Sequence, residues 1–352
     1  MAMRDTTPRA RDPRSAGRAT IRDVAAAAGV SKSLVSLVFS DPQRVSPQRR
    51  EVVLKAADKL GFRPNWAARS LAAQHANFVG ILVADLHNPA FVDIVDAARS
   101  QLASAGVYAL LTGAVIRGGA TRQLDGKLVD ALGDLRARSL MVVGSLPDMS
   151  PLERITKDIP IVVASGVPDK LPIACIVRSD DDEGIRLALV HLVSLGHSRF
   201  AFVGRDDTVI ARMRREAFEH AIAEHGLDTR ARVDTCDGTL QGGYTAARKL
   251  LKGRWKPTAV LADNDDVAVG VMAACEDMNL AIPEEVSVVG YENLPWTSLP
   301  QIGLTTIDQG NAAIGRKAGS WLLREIAGQP RRPEEYLVAP RLVERRSTGP
   351  AN

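Results

Sequence analysis

Thr20-Ile21-Arg22-Asp23-Val24-Ala25-Ala26-Ala27-Ala28-Gly29-Val30-Ser31-Lys32-Ser33-Leu34-Val35-Ser36-Leu37-Val38-Phe39-Ser40 reads as two short helices joined by a tight turn. Thr20 stands at an N-cap position, and Asp23 three residues later is placed to reach back as the second half of a capping box. Val24, Ala25 and Ala28 recur at helical spacing, and Gly29 supplies the left-handed turn residue. Ser31 caps the second helix, with Leu34, Val35 and Val38 turned inward. Lys32, Ser33, Ser36 and Leu37 then lie on the outer face near its start. In a helix-turn-helix this is the surface that meets base edges in the major groove.

Working outward, Ser46-Pro47 reads as an N-cap followed by proline in the first turn. A third helix runs through Val52, Val53, Ala56, Ala57 and Leu60, and Gly61 closes it. In Phe62 to Ala72, Pro64 and Asn65 break the pattern before a short alanine-rich stretch that carries Arg69 and Leu71. Residues 1–75 hold 14 Lys/Arg against 6 Asp/Glu, a net of +8, whereas the rest of the chain holds 31 against 35, a net of −4. A basic head on a mildly acidic body is the charge distribution of a modular DNA binder. Arg22, Arg49, Arg50, Arg63 and Arg69 are candidates for phosphate neutralisation, which makes affinity fall with salt.

Residues 1–19, rich in Arg, Pro, Ala and Ser, read as a disordered basic arm. They contain no apolar run, so no signal peptide is expected; the chain has no apolar run long enough to span a membrane, so no membrane partner is expected and the expected location is cytoplasmic. Cys175, Cys236 and Cys275 lie far apart, without a CxxC pair or nearby histidines. They read as small buried residues, with no disulfide framework and no metal.

From residue 76 the chain has α/β rhythm. Apolar strands are expected at Phe78–Ala84, Val107–Leu111, Leu140–Val143, Ile161–Ala164 and Ile176-Val177, with a helix through Ile94, Ala97, Ala98 and Leu102 after the first. A second set follows at Phe200–Val203, Ala259–Ala262 and Val286–Val289. Continuous apolar strands alternating with helices imply parallel sheets covered on both faces. Two sets in tandem imply two similar lobes with a cleft between them.

The head resembles the DNA-binding domain of the lactose-repressor/galactose-repressor (LacI/GalR) family. The matching residues are Thr20-Ile21-x-Asp23-Val24-Ala25-x-x-Ala28-Gly29-Val30-Ser31, Val35-Ser36, Val45-Ser46 and Pro64-Asn65-x-x-Ala68-Arg69-x-Leu71. Further motifs extend the resemblance over nearly all of residues 20–348. They are Asp85-x-x-Asn88-Pro89-x-Phe91, His191-Leu192-x-x-Leu195-Gly196-His197, Asn264-Asp265-x-x-Ala268-x-Gly270, Val288-Val289-Gly290-Tyr291, Leu304-Thr305-Thr306 and Leu342-Val343-x-Arg345-x-Ser347.

The resemblance implies a helix-turn-helix domain at 20–61, a hinge at 62–75 and a two-lobed, periplasmic-binding-protein-like effector and dimerisation domain at 76–348. It implies DNA contacts from Thr20, Arg22, Ser31, Lys32, Ser33, Ser36, Leu37 and Arg50. In the hinge, Asn65, Arg69 and Leu71 are the candidates, with Leu71 as a minor-groove wedge. Lys32 serves either base readout or phosphate contact. Many members have threonine where Leu34 stands and arginine where Leu37 stands, so their operator sequences do not transfer.

Effector contacts are implied for Phe91, Asp180 or Asp181, Arg214, Asn264 and Glu292. Carboxylates, an amide and an arginine suit a polyhydroxylated ligand, and an aromatic face suits the apolar side of a ring. Other roles stay open: Asn264 and Asp265 as helix caps, Arg214 on a solvated basic face, Asp180-Asp181-Asp182-Glu183 as an acidic helix start. Ala90, Ala217 and Glu292 depart from the family's usual residues and reshape the pocket.

The expected partners are palindromic double-stranded operator DNA, a small polar effector and a second copy of the chain, with no cofactor. A sugar or sugar derivative is the default effector, and a nucleoside or other metabolite acting as corepressor is the alternative. Repression is the expected sign, with a global or activating role as the competing one. There is no Walker A loop, GxSxG elbow or HExxH motif, so catalysis is not expected. A solute-binding protein would share the body but would have no use for residues 20–71.

Overall fold

The structure, a computed structural model, describes residues 19–40, 42–63, 78–118, 121–146, 148–157, 159–168, 175–329 and 334–352. The chain divides into two compact units, Met1–Gln74 and His75–Asn352.

In the first unit, α1 (Ile21–Ala28), α2 (Lys32–Ser40) and α3 (Pro47–Lys59) surround a core of Val24, Ala25, Val35, Val38, Val45, Val53, Ala56 and Ala57. The Asp23 carboxylate accepts from the Thr20 N–H at 2.8 Å and from its hydroxyl at 2.7 Å. Gly29 takes φ +65°, and the Val30 N–H returns to the Ala25 carbonyl at 3.0 Å, a Schellman closure. The Leu34 N–H donates to Ser31 Oγ at 3.2 Å, so Ser31 caps α2 as its sequence position indicates. Phe39 and Phe62 meet with ring centroids 5.6 Å apart. Two helical expectations change. Val52 and Leu60 are exposed, because the buried stripe of α3 is only Val53, Ala56 and Ala57.

The second unit holds two six-stranded sheets. The first contains β1 (Phe78–Val83), β2 (Tyr108–Gly113), β5 (Ser139–Val143), β6 (Ile161–Ala164), β7 (Cys175–Ser179) and β13 (Glu335–Val338), in the order β13-β7-β6-β5-β1-β2. A small hairpin, β3 (Val115–Gly118) and β4 (Thr121–Leu124), stands apart. The second sheet contains β8 (Phe200–Gly204), β9 (Ala231–Thr235), β10 (Ala259–Ala262), β11 (Ser287–Tyr291), β12 (Thr305–Asp308) and β14 (Arg341–Val343), ordered β14-β12-β11-β10-β8-β9. Pairing is parallel throughout both sheets except that β14 runs antiparallel to β12. The inner strands β1, β5, β6, β8, β10 and β11 are buried along their whole length, as strands covered on both faces must be.

The helices are α4 (Ala90–Ser104), α5 (Gly126–Asp134), α6 (Ser150–Glu153), α7 (Asp181–Ser194), α8 (Val209–Glu224), α9 (Leu240–Leu251), α10 (Asp265–Asp277) and α11 (Asn311–Ile326). A simple tandem of lobes does not hold. After β12 the chain returns to the first lobe, where Ile314, Ala318, Trp321 and Leu322 of α11 join the core made by Ile94, Ala98 and Leu102 of α4. Gly315 and Gly319 permit this approach, since a Cβ at either would run into α4 at Ile94 or Gln101. β13 then completes the first sheet and β14 the second. The lobes are thus joined by three crossings, at Ser179–Asp181, Asp308–Asn311 and Val338–Arg341.

The sequence carries no expectation of the β3–β4 hairpin, of β12, or of β9, β13 and β14. The last three are short, largely exposed edge strands, whereas β12 is a buried inner strand whose Thr305, Thr306 and Asp308 break any apolar run. Among the described residues no helix is long and apolar enough to cross a membrane, and no group of three His, Cys, Asp or Glu is placed to hold a metal. Cys275 is buried, whereas Cys175 and Cys236 are half-buried.

Candidate functional site

Two surfaces carry the candidate residues. On the head, Lys32, Ser33 and Ser36 stand exposed along the first two turns of α2, with Ser31 exposed just before it. Thr20 and Arg22 are exposed at the start of α1, and Arg50 is half-buried in α3. Leu37 does not share the open face: it is half-buried and packs on the head core, because α2 needs Leu34, Val35, Leu37 and Val38 to cover its apolar side. Asn65, Arg69 and Leu71 lie outside the described residues.

The second surface is a cleft between the lobes, open to solvent. Position by position the two sheet orders correspond, and the cleft is lined from the carboxyl ends of corresponding strands. Asp85 follows β1 as Arg205 follows β8. Ser145 follows β5 as Asp263 and Asn264 follow β10. Ser165 follows β6 as Glu292 follows β11. Ser165 (φ +54°) and Glu292 (φ +115°) both hold left-handed backbone at these equivalent ends. Such conformations cost of order 1–3 kcal/mol each and persist where the surroundings over-determine them.

Phe91, Arg214, Asn264 and Glu292 therefore meet in one cleft, as their sequence positions imply. Asp180 and Asp181 do not line it. Asp180 caps α7, its carboxylate accepting from the Glu183 N–H at 3.2 Å. Asp181 is buried and points to two arginines: Arg214 Nε donates to it at 2.8 Å, and Arg178 Nη1 lies at 3.4 Å. Arg178 in turn donates from Nε to Glu335 at 2.7 Å. A charged chain thus runs from β13 and β7 of the first lobe through the first crossing to α8 of the second.

Arg214 is 7% exposed, so it is no solvated surface residue. Its Nη1 donates to the Asp263 carbonyl at 2.6 Å and its Nη2 to Gln309 Oε1 at 3.1 Å, while its guanidinium lies 3.9 Å over the Tyr291 ring. Burial alone would ease its proton off, but the Asp181 carboxylate outweighs that and holds the guanidinium charged. Asn264 caps α10, taking the Val267 N–H at 2.7 Å, and donates to the Gly238 carbonyl at 3.1 Å. It fills both the capping and the cleft-wall positions. Asp265 is wholly buried and ties β12 to the loop after β11, accepting from Thr306 Oγ1 at 2.6 Å and the Leu294 N–H at 2.8 Å. Burial pushes its carboxyl up to about 7.

Glu292 receives the Asn88 side-chain amide at 3.2 Å across the cleft. Burial pushes its carboxyl up to about 8, against the opposing pull of Arg214. Phe91 packs its ring against Gly144 at the end of β5, where a Cβ would meet Cζ at 2.6 Å.

Reading the sequence misses Asp85, Asn88, Ser145, Ser165, Arg205, Thr208, Asp263 and Gln309 as lining residues. Their common signal is a polar residue within a few positions of a strand's carboxyl end, which becomes legible only once the strand limits are known.

Residues 20–65 match the family described as bacterial regulatory proteins, lacI family, and residues 189–348 match a periplasmic binding protein-like domain. The chain is 32% identical over 348 residues to the HTH-type transcriptional regulator reg1 of Streptomyces lividans, covering 94% of this chain and 97% of the relative. It is 30% identical over 334 residues to the HTH-type transcriptional repressor PurR of Erwinia tasmaniensis, covering 94% and 96%. The Lac repressor dimer bound to operator and the anti-inducer ONPF superimposes with a TM-score of 0.81 at 29% identity, covering 95% of this chain and all of that one.

Proposed function

The chain belongs to the lacI family of bacterial regulatory proteins, and on that premise we propose that it represses transcription by binding a palindromic operator, under control of a small polar effector in the interlobe cleft. The observation that carries this reading is the pairing, in one chain, of an exposed Lys32-Ser33-Ser36 face on a capped recognition helix with a two-lobed cleft lined by strand-end polar groups.

The working unit is a homodimer, because a palindrome needs two heads. The second copy sits against the edge strand β2, whose Tyr108, Leu110 and Leu111 are 65%, 40% and 46% exposed. An unpaired apolar edge of this kind is otherwise an aggregation hazard, and the Lac repressor neighbour is a dimer. The domain limits are 20–61 for the head, 62–75 for the hinge and 76–348 for the effector and dimerisation body. Lys32, Ser33 and Ser36 read the groove, and Thr20, Arg22 and Arg50 hold the backbone. Asn65, Arg69 and Leu71 act from the hinge. The relatives are regulators, and the protein works by binding rather than by catalysis, in the cytoplasm beside its DNA.

Selection of fragments from the source genome at moderate salt, followed by sequencing, tests the reading. A shared palindrome upstream of a few genes is the expected result. Retention of unrelated fragments with uniform loss as salt rises would defeat it.

A further inference from the structure

The two arginines that line the cleft are turned on acceptors within the protein. Arg214 has all three nitrogens engaged, on Asp181, the Asp263 carbonyl and Gln309. Arg205 turns its fork on Asp207, with Nε at 2.8 Å and Nη2 at 3.0 Å. The amides are committed too: Asn264 between Val267 and Gly238, Asn88 between the Ala90 N–H and Glu292. Against these stand three carboxyl groups in the lining, Asp85, Asp263 and Glu292.

Asp263 is the telling member. It is 3% exposed, and its Oδ2 takes the Arg205 N–H at 2.8 Å. Its Oδ1 is buried without a hydrogen-bond partner, on a side chain that lines the cleft. A buried carboxylate oxygen lacking a donor is costly, and a charged donor is the strongest remedy.

We propose that the effector is a small polyhydroxylated molecule carrying a protonated amine, of the amino-sugar or aminocyclitol class, with its ammonium seated against Asp263. This rests on the reading of the cleft as the effector site. Burial raises the Asp263 and Glu292 carboxyls above their ordinary range, so an arriving cation draws both back toward the ionised form. A phosphorylated sugar or sugar acid would instead set its charge among these carboxyls, facing arginines already engaged.

The test uses the full-length chain and three matched series: glucosamine, glucose and glucuronate; galactosamine, galactose and galacturonate; mannosamine and mannose. Thermal midpoints and calorimetric titration at pH 7 give binding, and retention of the selected operator is measured on the same samples. At least one amine should bind about tenfold more tightly than its neutral and acidic partners, as a charge-assisted bond is roughly twice as strong as a neutral one. In Asp263→Asn that ratio should collapse toward one.

The proposal is overturned if no amine binds, if a neutral or acidic partner binds as tightly, or if the preference survives in Asp263→Asn. Should that variant not fold, the matched series on the parent protein still decides. A neutral or acidic compound that releases operator overturns the amine inference and leaves the regulator reading intact. Absence of sequence-specific DNA binding in every sample defeats the regulator reading itself.

Discussion

Asn88 in the first lobe and Glu292 in the second are joined across the cleft by a hydrogen bond of 3.2 Å, 204 residues apart in sequence. Glu292 sits at the end of β11 in left-handed backbone, with a carboxyl that burial pushes up to about 8 from the ordinary 4.5. A raised acid pKa in the folded state means that folding takes up a proton. Stability is therefore unaffected below about 4.5 and is lost as pH rises toward 8. Glu292→Gln keeps the contact with Asn88 and removes the titration. Its melting temperature, measured against the parent from pH 5 to 8.5, should draw ahead progressively as pH rises. Parallel profiles would contradict the assignment.

Arg214 holds Asp181, and Asp181 is buried between two arginines. Arg214→Ala should therefore do more than blunt effector response. It strands a buried carboxylate with only Arg178 at 3.4 Å, and breaking a buried pair costs about 3–5 kcal/mol. Calorimetry should show the body unfolding at clearly lower temperature, while Arg212→Ala next door, on an exposed arginine, should change little. An unchanged midpoint in Arg214→Ala would remove the network from the stability account.

On the head, Lys32→Ala and Leu37→Ala should separate. Lys32 is exposed, so its loss leaves folding intact; as a base contact it costs specific affinity about 1–3 kcal/mol, leaving nonspecific affinity nearly unchanged. Leu37 packs on the core, so its truncation lowers the head's own stability. Equal losses on operator and random DNA for Lys32→Ala would make it a phosphate contact instead.

His197 is buried between Thr258 at 3.1 Å, Ser287 at 3.0 Å and the Gly349 carbonyl at 3.1 Å. Burial holds its imidazole below the ordinary 6.5. The unfolded chain then takes a proton first as pH falls through about 6.5, and stability declines below that point. His197→Gln should flatten this acid limb in denaturant titrations between pH 5 and 7.5. Retention of the full slope would place its origin elsewhere.

The readable part of the chain was the part with periodicity. Continuous apolar runs such as Phe78–Val83 and Ala259–Ala262 announce strands buried on both faces, and the Thr20 and Ser31 caps announce the head. The return of α11 to the first lobe was hidden because its partner is chosen by close packing at Gly315 and Gly319, which no local pattern reports. In the cleft, Arg214 and Asn264 could be named from motif position. The role of Asp181 could not, since a buried ion pair between the start of α7 and α8 depends on the fold that brings them together.

Occupancy of the cleft should set the grip of the head on operator DNA. The most direct measurement is a reciprocal titration: operator Kd with and without the tightest ligand of the matched series, and ligand Kd with and without operator. Coupling between two sites is mutual, so both affinities should change by the same factor, expected at about 5–150-fold. A ligand that binds the cleft tightly and leaves the operator Kd unchanged would show that cleft and head are uncoupled.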